Sequence, residues 1–315
     1  MGCAGIARRR MLPAMAAADD IEVVAIASRT GPRAQELAGE YGCRPVTGYD
    51  GLLALPEVDA VYLPLPLALH AHWVEAAVRA GKHVLVEKPM TANPRETRRL
   101  LRLARPRGLV LMENVMFLHH RRQQAVRRLL DQRAIGELRS FQSEFTVPRL
   151  PDQDIRYQPE LGGGALWDVG LYPLRAALYF LGNELEVVGA VLAAGPGRRV
   201  DTSGAVLLRR SDGVTAQLTF GLEHAYASRY QLCGSTGRIQ VDQAFAPSAE
   251  HIPVIRVDSG SDRREIPLAP DDQVRNTLRA FTAAVRARKA DDAAIDSCLR
   301  QADLLALVSE GGSWK

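Results

Sequence analysis

Along the first third of the chain, short apolar runs rich in β-branched residues alternate with amphipathic segments. Residues 21–27, 60–65, 83–87 and 109–113 read as strands, and 33–41, 72–80 and 94–105 as the helices between them. Alternation at this spacing predicts an α/β domain with a parallel, doubly wound sheet. From about Gly136 the pattern changes. Residues 138–147, 185–192, 204–210, 214–222, 229–233 and 238–242 read as strands, joined by turns such as Ser211-Asp212-Gly213 and Gly234-Ser235-Thr236-Gly237. A second, mostly antiparallel open sheet follows. The segments 273–290 and 297–309 carry helical periodicity, and no repeat or low-complexity tract interrupts the chain. We place the boundary so that 1–117 forms the first domain and 118–315 an α+β domain.

Composition narrows this reading. A chain of 315 residues suits two domains of ordinary size with a substantial core. No stretch approaches the length of a membrane span, and no charged-then-apolar leader is seen, so a soluble cytoplasmic protein is expected. Cys3, Cys43, Cys233 and Cys298 lack CxxC spacing, which points to reduced thiols and to neither a disulfide framework nor a metal site. The net charge of +4 arises from 40 basic and 36 acidic residues spread along the chain. That balance gives no argument for nucleic acid, yet it suits an anionic cofactor and substrate.

Chemistry concentrates in three places. The run Gly81-Lys82-His83-Val84-Leu85-Val86-Glu87-Lys88-Pro89 ends a buried strand on a carboxylate, an amine and a proline. Open α/β sheets bind ligands at such strand ends. Pro89 fixes the backbone there, and a cis bond would aim Lys88 rigidly. The same residues also suit a lysine capping an ordinary strand before a turn proline. At the N-terminus, Gly2-Cys3-Ala4-Gly5-Ile6-Ala7 follows the dinucleotide fingerprint with Ala4 and Ala7 at its second and third glycine positions. A fingerprint of this kind follows a strand, whereas only Met1 precedes Gly2. We therefore expect a start clipped of the first strand, with translation beginning upstream. At the end of the second strand, where an NAD site places a carboxylate, Ser28 and Arg29 stand instead. A hydroxyl and a planar cation suit a 2′-phosphate, so NADP(H) is expected, with Arg33 one turn on as a further cation.

The third place is Leu161-Gly162-Gly163-Gly164-Ala165-Leu166-Trp167-Asp168-Val169-Gly170-Leu171-Tyr172-Pro173. Glycines leading into a helix permit close backbone approach, and Asp168 and Tyr172, four residues apart, share a helical face. An acid and a phenol can then point into one cleft. A glycine-rich hinge before a helix with a core tyrosine fits the same letters.

Together, the Glu87-Lys88-Pro89 strand end, the GxAxxA-like start and residues 162–172 resemble the Gfo/Idh/MocA oxidoreductases over nearly the whole chain. Tyr172, where many members carry His, resembles the branch with glucose-fructose oxidoreductase and dihydrodiol dehydrogenase. Residues 116–120, 135–141, 154–158 and 213–221 are similar to the NDP-hexose 3-ketoreductases of deoxysugar biosynthesis. The resemblance implies a Rossmann domain, with cofactor contacts from Gly2, Cys3, Ala4, Gly5, Ile6, Ala7, Ser28, Arg29, Arg33, Leu65, Pro66, His70, Glu87, Lys88 and Asn114. It implies NADPH-dependent reduction of the C3 ketone of a dTDP-3,4-diketo-2,6-dideoxyhexose. Tyr172, a phenol of reference pKa about 10, is the candidate general acid. Lys88 is its electrostatic partner. On the substrate side it points to Tyr172, Asp168, Arg156, Tyr157, His119 and Arg9, with Arg10, Glu223, His224 and Tyr226 on neighbouring loops. His119, His120, Arg121 and Arg122 form a basic run at a helix start, a pattern usually solvated. Two departures stand out: Leu65-Pro66-Leu67-Ala68-Leu69-His70 replaces the usual Thr-Pro-Asn before the His, and Arg175 replaces a frequent acid. Oxidation of an aldose or a dihydrodiol, and a non-catalytic NADP-binding regulator, are the alternatives. A homodimer or tetramer formed through the second sheet is also implied.

Overall fold

The computed structural model describes residues 1–260 and 262–314, the last two without their side chains. Residues 1–115 and 274–298 cluster as one compact unit, and 116–273 with 299–315 as another. The chain therefore returns to the first unit after leaving it, where the sequence pattern places one crossing at 117/118.

In the first unit, a helical stretch opens at Gly5, passes through a π-helical turn at Ala7–Met11 and continues as α1 (Leu12–Ala16). There follow β1 (Ala25–Ser28), α2 (Gly31–Glu40), β2 (Arg44–Thr47), α3 (Tyr49–Leu53), β3 (Ala60–Leu63), α4 (His70–Arg79), β4 (His83–Glu87), α5 (Pro94–Ala104) and β5 (Leu111–Asn114). All strand pairs here are parallel, as the alternating pattern predicts, but they fall into two groups: β1 with β2, and β3 with β4 and β5. Between β1 and β3 lies a cavity of about 470 Å³. Among the described residues the first two bridge it, with the Met1 amine donating to Tyr62 O at 2.8 Å and the Gly2 N–H to Ala27 O at 2.7 Å. The strand β4 has its three central residues fully buried, the condition of an inner parallel strand covered on both faces. Helix α5 starts where Asn93 caps the Arg95 N–H and Pro94 occupies the first position.

The second unit holds α6 (Arg121–Asp131), β6 (Leu138–Val147), a π-helical turn at Leu166–Gly170 running into α7 (Leu171–Leu181), β7 (Leu185–Ala193), β8 (Ser203–Arg210), β9 (Thr215–Leu222), β10 (Ala227–Gly234), β11 (Gly237–Asp242), β12 (Val254–Ser259) and β13 (Asp262–Pro267). Helices α8 (Gln273–Ala287) and α9 (Asp292–Gly311) close the chain with a short strand, β14 (Ser313–Trp314). The nine strands order as β13-β12-β11-β10-β6-β9-β8-β7-β14. Pairing is antiparallel except at β6 with β9 and β14 with β7. On one face of β6, Phe141 and Phe145 are buried, and Phe141 stacks near Phe180 of α7 at 6.0 Å. The other face is polar: Gln240, Gln231, Gln142 and Gln217 hydrogen-bond in a row across β11, β10, β6 and β9.

Candidate active site

In the first unit the strand-end residues meet one another. Glu87 Oε1 accepts from the Tyr62 hydroxyl at 2.6 Å and from Asn114 Nδ2 at 2.7 Å, joining the ends of β3, β4 and β5. The Lys88–Pro89 peptide bond is cis. Asn114 is 1 % exposed, and its Oδ1 has no hydrogen-bond partner among the described residues, which leaves an acceptor available for a ligand N–H.

His70, at the start of α4, is equally buried, with Nδ1 2.9 Å from Pro89 O and Nε2 2.8 Å from Leu65 O. A neutral ring carries one N–H, so it donates to one carbonyl and turns a lone pair to the other. Burial pushes its pKa down, and the two carbonyls only partly offset that. The enclosed ring braces the Leu65-Pro66 loop against the Lys88-Pro89 turn.

The fingerprint residues form a turn into a helix. Gly2 has φ +103°, and a Cβ there would lie 2.7 Å from Leu65 Cδ2, so only glycine fits. Cys3 Sγ reaches Arg33 O at 3.6 Å, which sets the fingerprint beside the first turn of α2. Ser28 is buried and its hydroxyl accepts from the Thr30 N–H at 3.4 Å, shaping that loop. Arg29 and Arg33 are exposed beyond it, with no carboxylate following β1 in the sequence before Glu36. Arg9 folds back against Gly5, where a Cβ would meet Nη1 at 3.0 Å. A backbone cradle at a helix start and two cations at the adjacent strand end fit an adenine dinucleotide bearing a 2′-phosphate.

In the second unit, the glycines before Tyr172 answer to close contacts. A Cβ on Gly163 would sit 2.6 Å from Arg156 O, and one on Gly164, at φ +127°, would sit 2.3 Å from Asp201 Oδ1. Asp201 also accepts the Leu166 N–H at 2.6 Å, and its backbone oxygen accepts the Ala165 N–H at 2.8 Å. It thereby anchors the start of the helix that carries Asp168 and Tyr172. Burial raises the Asp201 pKa to about 6. No motif marks this residue, which lies in a loop 29 positions after Tyr172 in the chain.

Asp168 Oδ2 takes the Arg156 Nε–H at 2.5 Å, and Arg156 binds Asp154 Oδ1 at 3.0 Å. The two carboxylates hold the guanidinium firmly charged. Tyr172 is half-buried in an aromatic cluster, with Phe145 edge-on at 5.0 Å, Phe245 at 5.6 Å and Phe117 at 6.0 Å. Tyr157 is 6 % exposed. Its hydroxyl accepts the Leu150 N–H at 3.2 Å, and the Arg198 guanidinium covers its ring at 3.6 Å. Glu223 and Asp152 fix Arg198 in turn.

The basic run also differs from expectation. His119 is half-buried in the turn Met116–His119, whereas His120 and Arg122 are fully enclosed. His120 Nδ1 caps α6 through the Arg122 N–H, and burial beside that cation lowers its pKa to about 4. Arg122 Nη2 donates to Ala244 O at 2.6 Å. Of the helix-start residues, Arg121 is the exposed one, and its backbone N–H is held by Asp271.

A strand-end lysine beside a dinucleotide cradle, and a phenol on a glycine-led helix over an open sheet, define a two-domain nicotinamide oxidoreductase. Residues 1–115 match the model of an oxidoreductase family with an NAD-binding Rossmann fold, and 123–240 match the GFO/IDH/MocA C-terminal domain. The chain belongs to the Gfo/Idh/MocA family. It is 49 % identical to a dTDP-3,4-didehydro-2,6-dideoxy-alpha-D-glucose 3-reductase of Actinomadura kijaniata, over 99 % of this chain and 94 % of that protein. Identity to the reductase of the same name from Streptomyces violaceoruber is 49 %, over 98 % and 93 %. A crystal structure of a 3-ketoreductase from Actinomadura kijaniata with NADP and TDP-benzene superposes with a TM-score of 0.97 at 48 % identity, covering 99 % of this chain and 96 % of that one. The same 3-ketoreductase has also been solved with a lysine replaced by alanine and with a tyrosine replaced by phenylalanine. Among the described residues, no helix is long and apolar enough to cross a membrane and no group of side chains is arranged to hold a metal.

Proposed function

We propose that the protein reduces the C3 ketone of a dTDP-3,4-diketo-2,6-dideoxyhexose with NADPH, giving the dTDP-4-keto-2,6-dideoxyhexose of deoxysugar biosynthesis. The observation that carries this reading is the near-full-length identity to sugar-nucleotide 3-reductases together with the reactive pair Lys88 and Tyr172. In the 3-ketoreductase studied as variants, the replaced lysine and tyrosine have the same sequence separation as Lys88 and Tyr172.

Gly2 to Ala7 would hold the pyrophosphate, Arg29 and Arg33 the 2′-phosphate, and the Lys88 strand end with Asn114 the nicotinamide side. NADPH, when bound, supplies the hydride that the ketone carbon accepts. Tyr172 gives its phenolic proton to the C3 oxygen as negative charge develops there, which closes the proton balance of the reduction. Lys88 stabilises the developing charge and lowers the cost of the resulting phenolate. Glu87, tied to Tyr62 and Asn114, keeps the strand end in place. Asp168 holds Arg156, whose guanidinium offers donors to the nucleotide sugar.

The glutamine row on the polar face of the nine-stranded sheet supports a homo-oligomer joined through that face, in a cytoplasmic enzyme. Sedimentation or light scattering gives the assembly state, and charge reversal at Arg229 and Arg256 on this face should dissociate it.

The test generates the diketosugar in situ with a 2,3-dehydratase, adds protein and NADPH, and identifies the product by NMR. Tyr172→Phe should lower kcat by about a hundredfold or more, and Lys88→Ala should do the same. Turnover of xylose or a dihydrodiol with NADP+, and none of the diketosugar, would overturn the assignment.

A further inference from the structure

In the second unit, β6, β7 and β9 run in one direction, so the segment after β6, the β7–β8 connection and the β9–β10 turn all lie at the same end of the sheet. One guanidinium joins the three. Arg198, in the β7–β8 connection, donates from Nε to Glu223 Oε1 at 2.9 Å and from Nη2 to Asp152 Oδ1 at 2.8 Å, while its Cζ lies 3.6 Å from the centroid of the Tyr157 ring. The Arg198 side chain is 10 % exposed, so water and salt screen these pairs less than they screen surface pairs. Glu223 meets it from a left-handed backbone, φ +66°, which a residue with a Cβ disfavours and which surrounding contacts must hold. Gly195 lets the β7–β8 connection come close, since a Cβ there would press on Glu223 Oε2 at 3.3 Å.

The segment that Arg198 ties down carries Arg156. That residue sits in the single turn Ile155–Tyr157, next to the ring that Arg198 covers, and its side chain is 38 % exposed. Its hydrogen bonds to Asp168 and Asp154 run through Nε and Nη1, which leaves Nη2 to offer two N–H groups to an anionic ligand. We propose that Arg198 is a positioning residue for the nucleotide sugar: by binding Glu223 and Asp152 and covering Tyr157, it holds residues 148–157 where Arg156 presents Nη2 to the diphosphate. The identity of that ligand rests on the reaction proposed above. The physical reason is preorganisation. Residues 148–157 contain no strand, and a segment that must be ordered at the moment of binding weakens affinity by the fraction of time it is out of place. Arg149 reaches the same two carboxylates, Asp152 at 2.9 Å and Glu223 at 3.9 Å, but it is exposed, and exposed pairs contribute little. A lysine at position 198 keeps a charge for one carboxylate but lacks the planar fork that bonds two while lying on a ring.

The test measures dTDP affinity by calorimetry and steady-state kinetics with the diketosugar for the parent chain, Arg198→Ala, Arg198→Lys, Arg149→Ala, Arg156→Ala and the double variant of Arg156→Ala with Arg198→Ala. Arg198→Ala should weaken dTDP binding and raise KM for the nucleotide sugar by about 10- to 30-fold, with kcat within about threefold and KM for NADPH unchanged. Arg198→Lys should recover part of that loss, and Arg149→Ala should cost less than about threefold. In the absence of Arg156, the further change on removing Arg198 should fall below about twofold, because Arg198 acts through that residue. Amide exchange across residues 149–158 of the free protein should quicken by about tenfold or more in Arg198→Ala while α7 keeps its protection. Equal losses with and without Arg156, or unchanged exchange across 149–158, would overturn the proposal. Failure of the parent chain to bind dTDP or to reduce the diketosugar counts instead against the reaction assigned above, and the exchange comparison, which needs no ligand, still decides whether Arg198 holds the segment.

Discussion

Replacing Asp201 by Asn should stabilise the protein at neutral pH and flatten its stability profile between pH 4 and pH 7. The side chain is 4 % exposed, accepts the Leu166 N–H at 2.6 Å, and has its pKa raised from 3.8 to about 6 by burial. A carboxyl whose pKa is higher folded than unfolded binds its proton more tightly in the fold. Its contribution is therefore fully present below about pH 4 and is lost as pH rises through 6. The gap from 3.8 to about 6 corresponds to about 3 kcal/mol by pH 7. Asparagine keeps an acceptor for the Leu166 N–H and has no charge to desolvate, so most of that cost should vanish. For a chain of this size, about 3 kcal/mol shifts Tm by roughly 6 °C. Scanning calorimetry of both proteins from pH 4.5 to pH 8 measures the difference, and other titrating groups cancel between them. The reasoning fails if the two Tm curves stay parallel across that range. Asp201→Ala is the companion: it removes the anchor as well as the charge, and losing such a cap costs about 1 kcal/mol, reported in kcat through Tyr172 on the same helix.

Three further outcomes follow from single contacts. Arg29→Ala should weaken NADPH binding by about 10- to 100-fold in a fluorescence titration while NADH affinity holds, since a charge-assisted bond to a 2′-phosphate is worth about 1.5–3 kcal/mol. His70→Phe removes the single ring N–H that one of Leu65 O and Pro89 O accepts, and should cost about 1–3 kcal/mol in thermal unfolding with a rise in KM for NADPH larger than any change in kcat. Gly163→Ala drives a Cβ to within 2.6 Å of Arg156 O, a rigid backbone atom, so a loss of about 1–3 kcal/mol with reduced kcat is expected by calorimetry and steady-state kinetics.

Much of the architecture is legible from local pattern. The apolar run ending at Glu87 and the long alternation of β6 announce strands because periodicity and flanking turns agree. Strand β2 escapes that reading: Arg44-Pro45-Val46-Thr47 is mostly exposed and carries a proline, and it is a strand because β1 lies alongside. Strands β12 and β13 are hidden for a related reason, since the last is polar along most of its length and is held by pairing at the sheet edge. Among site residues, Lys88, Asp168 and Tyr172 stand out because their neighbours in sequence mark them. Asp201 and Arg198 do not, because their roles rest on partners distant in sequence.

The amino-acid sequence by itself determined the two-part α/β and α+β plan, the dinucleotide cradle without an acidic strand end, and the lysine and tyrosine proposed for the chemistry. Those features are written in short segments whose periodicity, glycines and charges act over a few residues. Tertiary structure alone decided that His70 braces two loops, that Tyr157 lies under Arg198, that His120 and Arg122 are enclosed, and that a cavity separates β1 from β3. Each of these depends on desolvation and on contacts between distant segments, which local pattern does not carry.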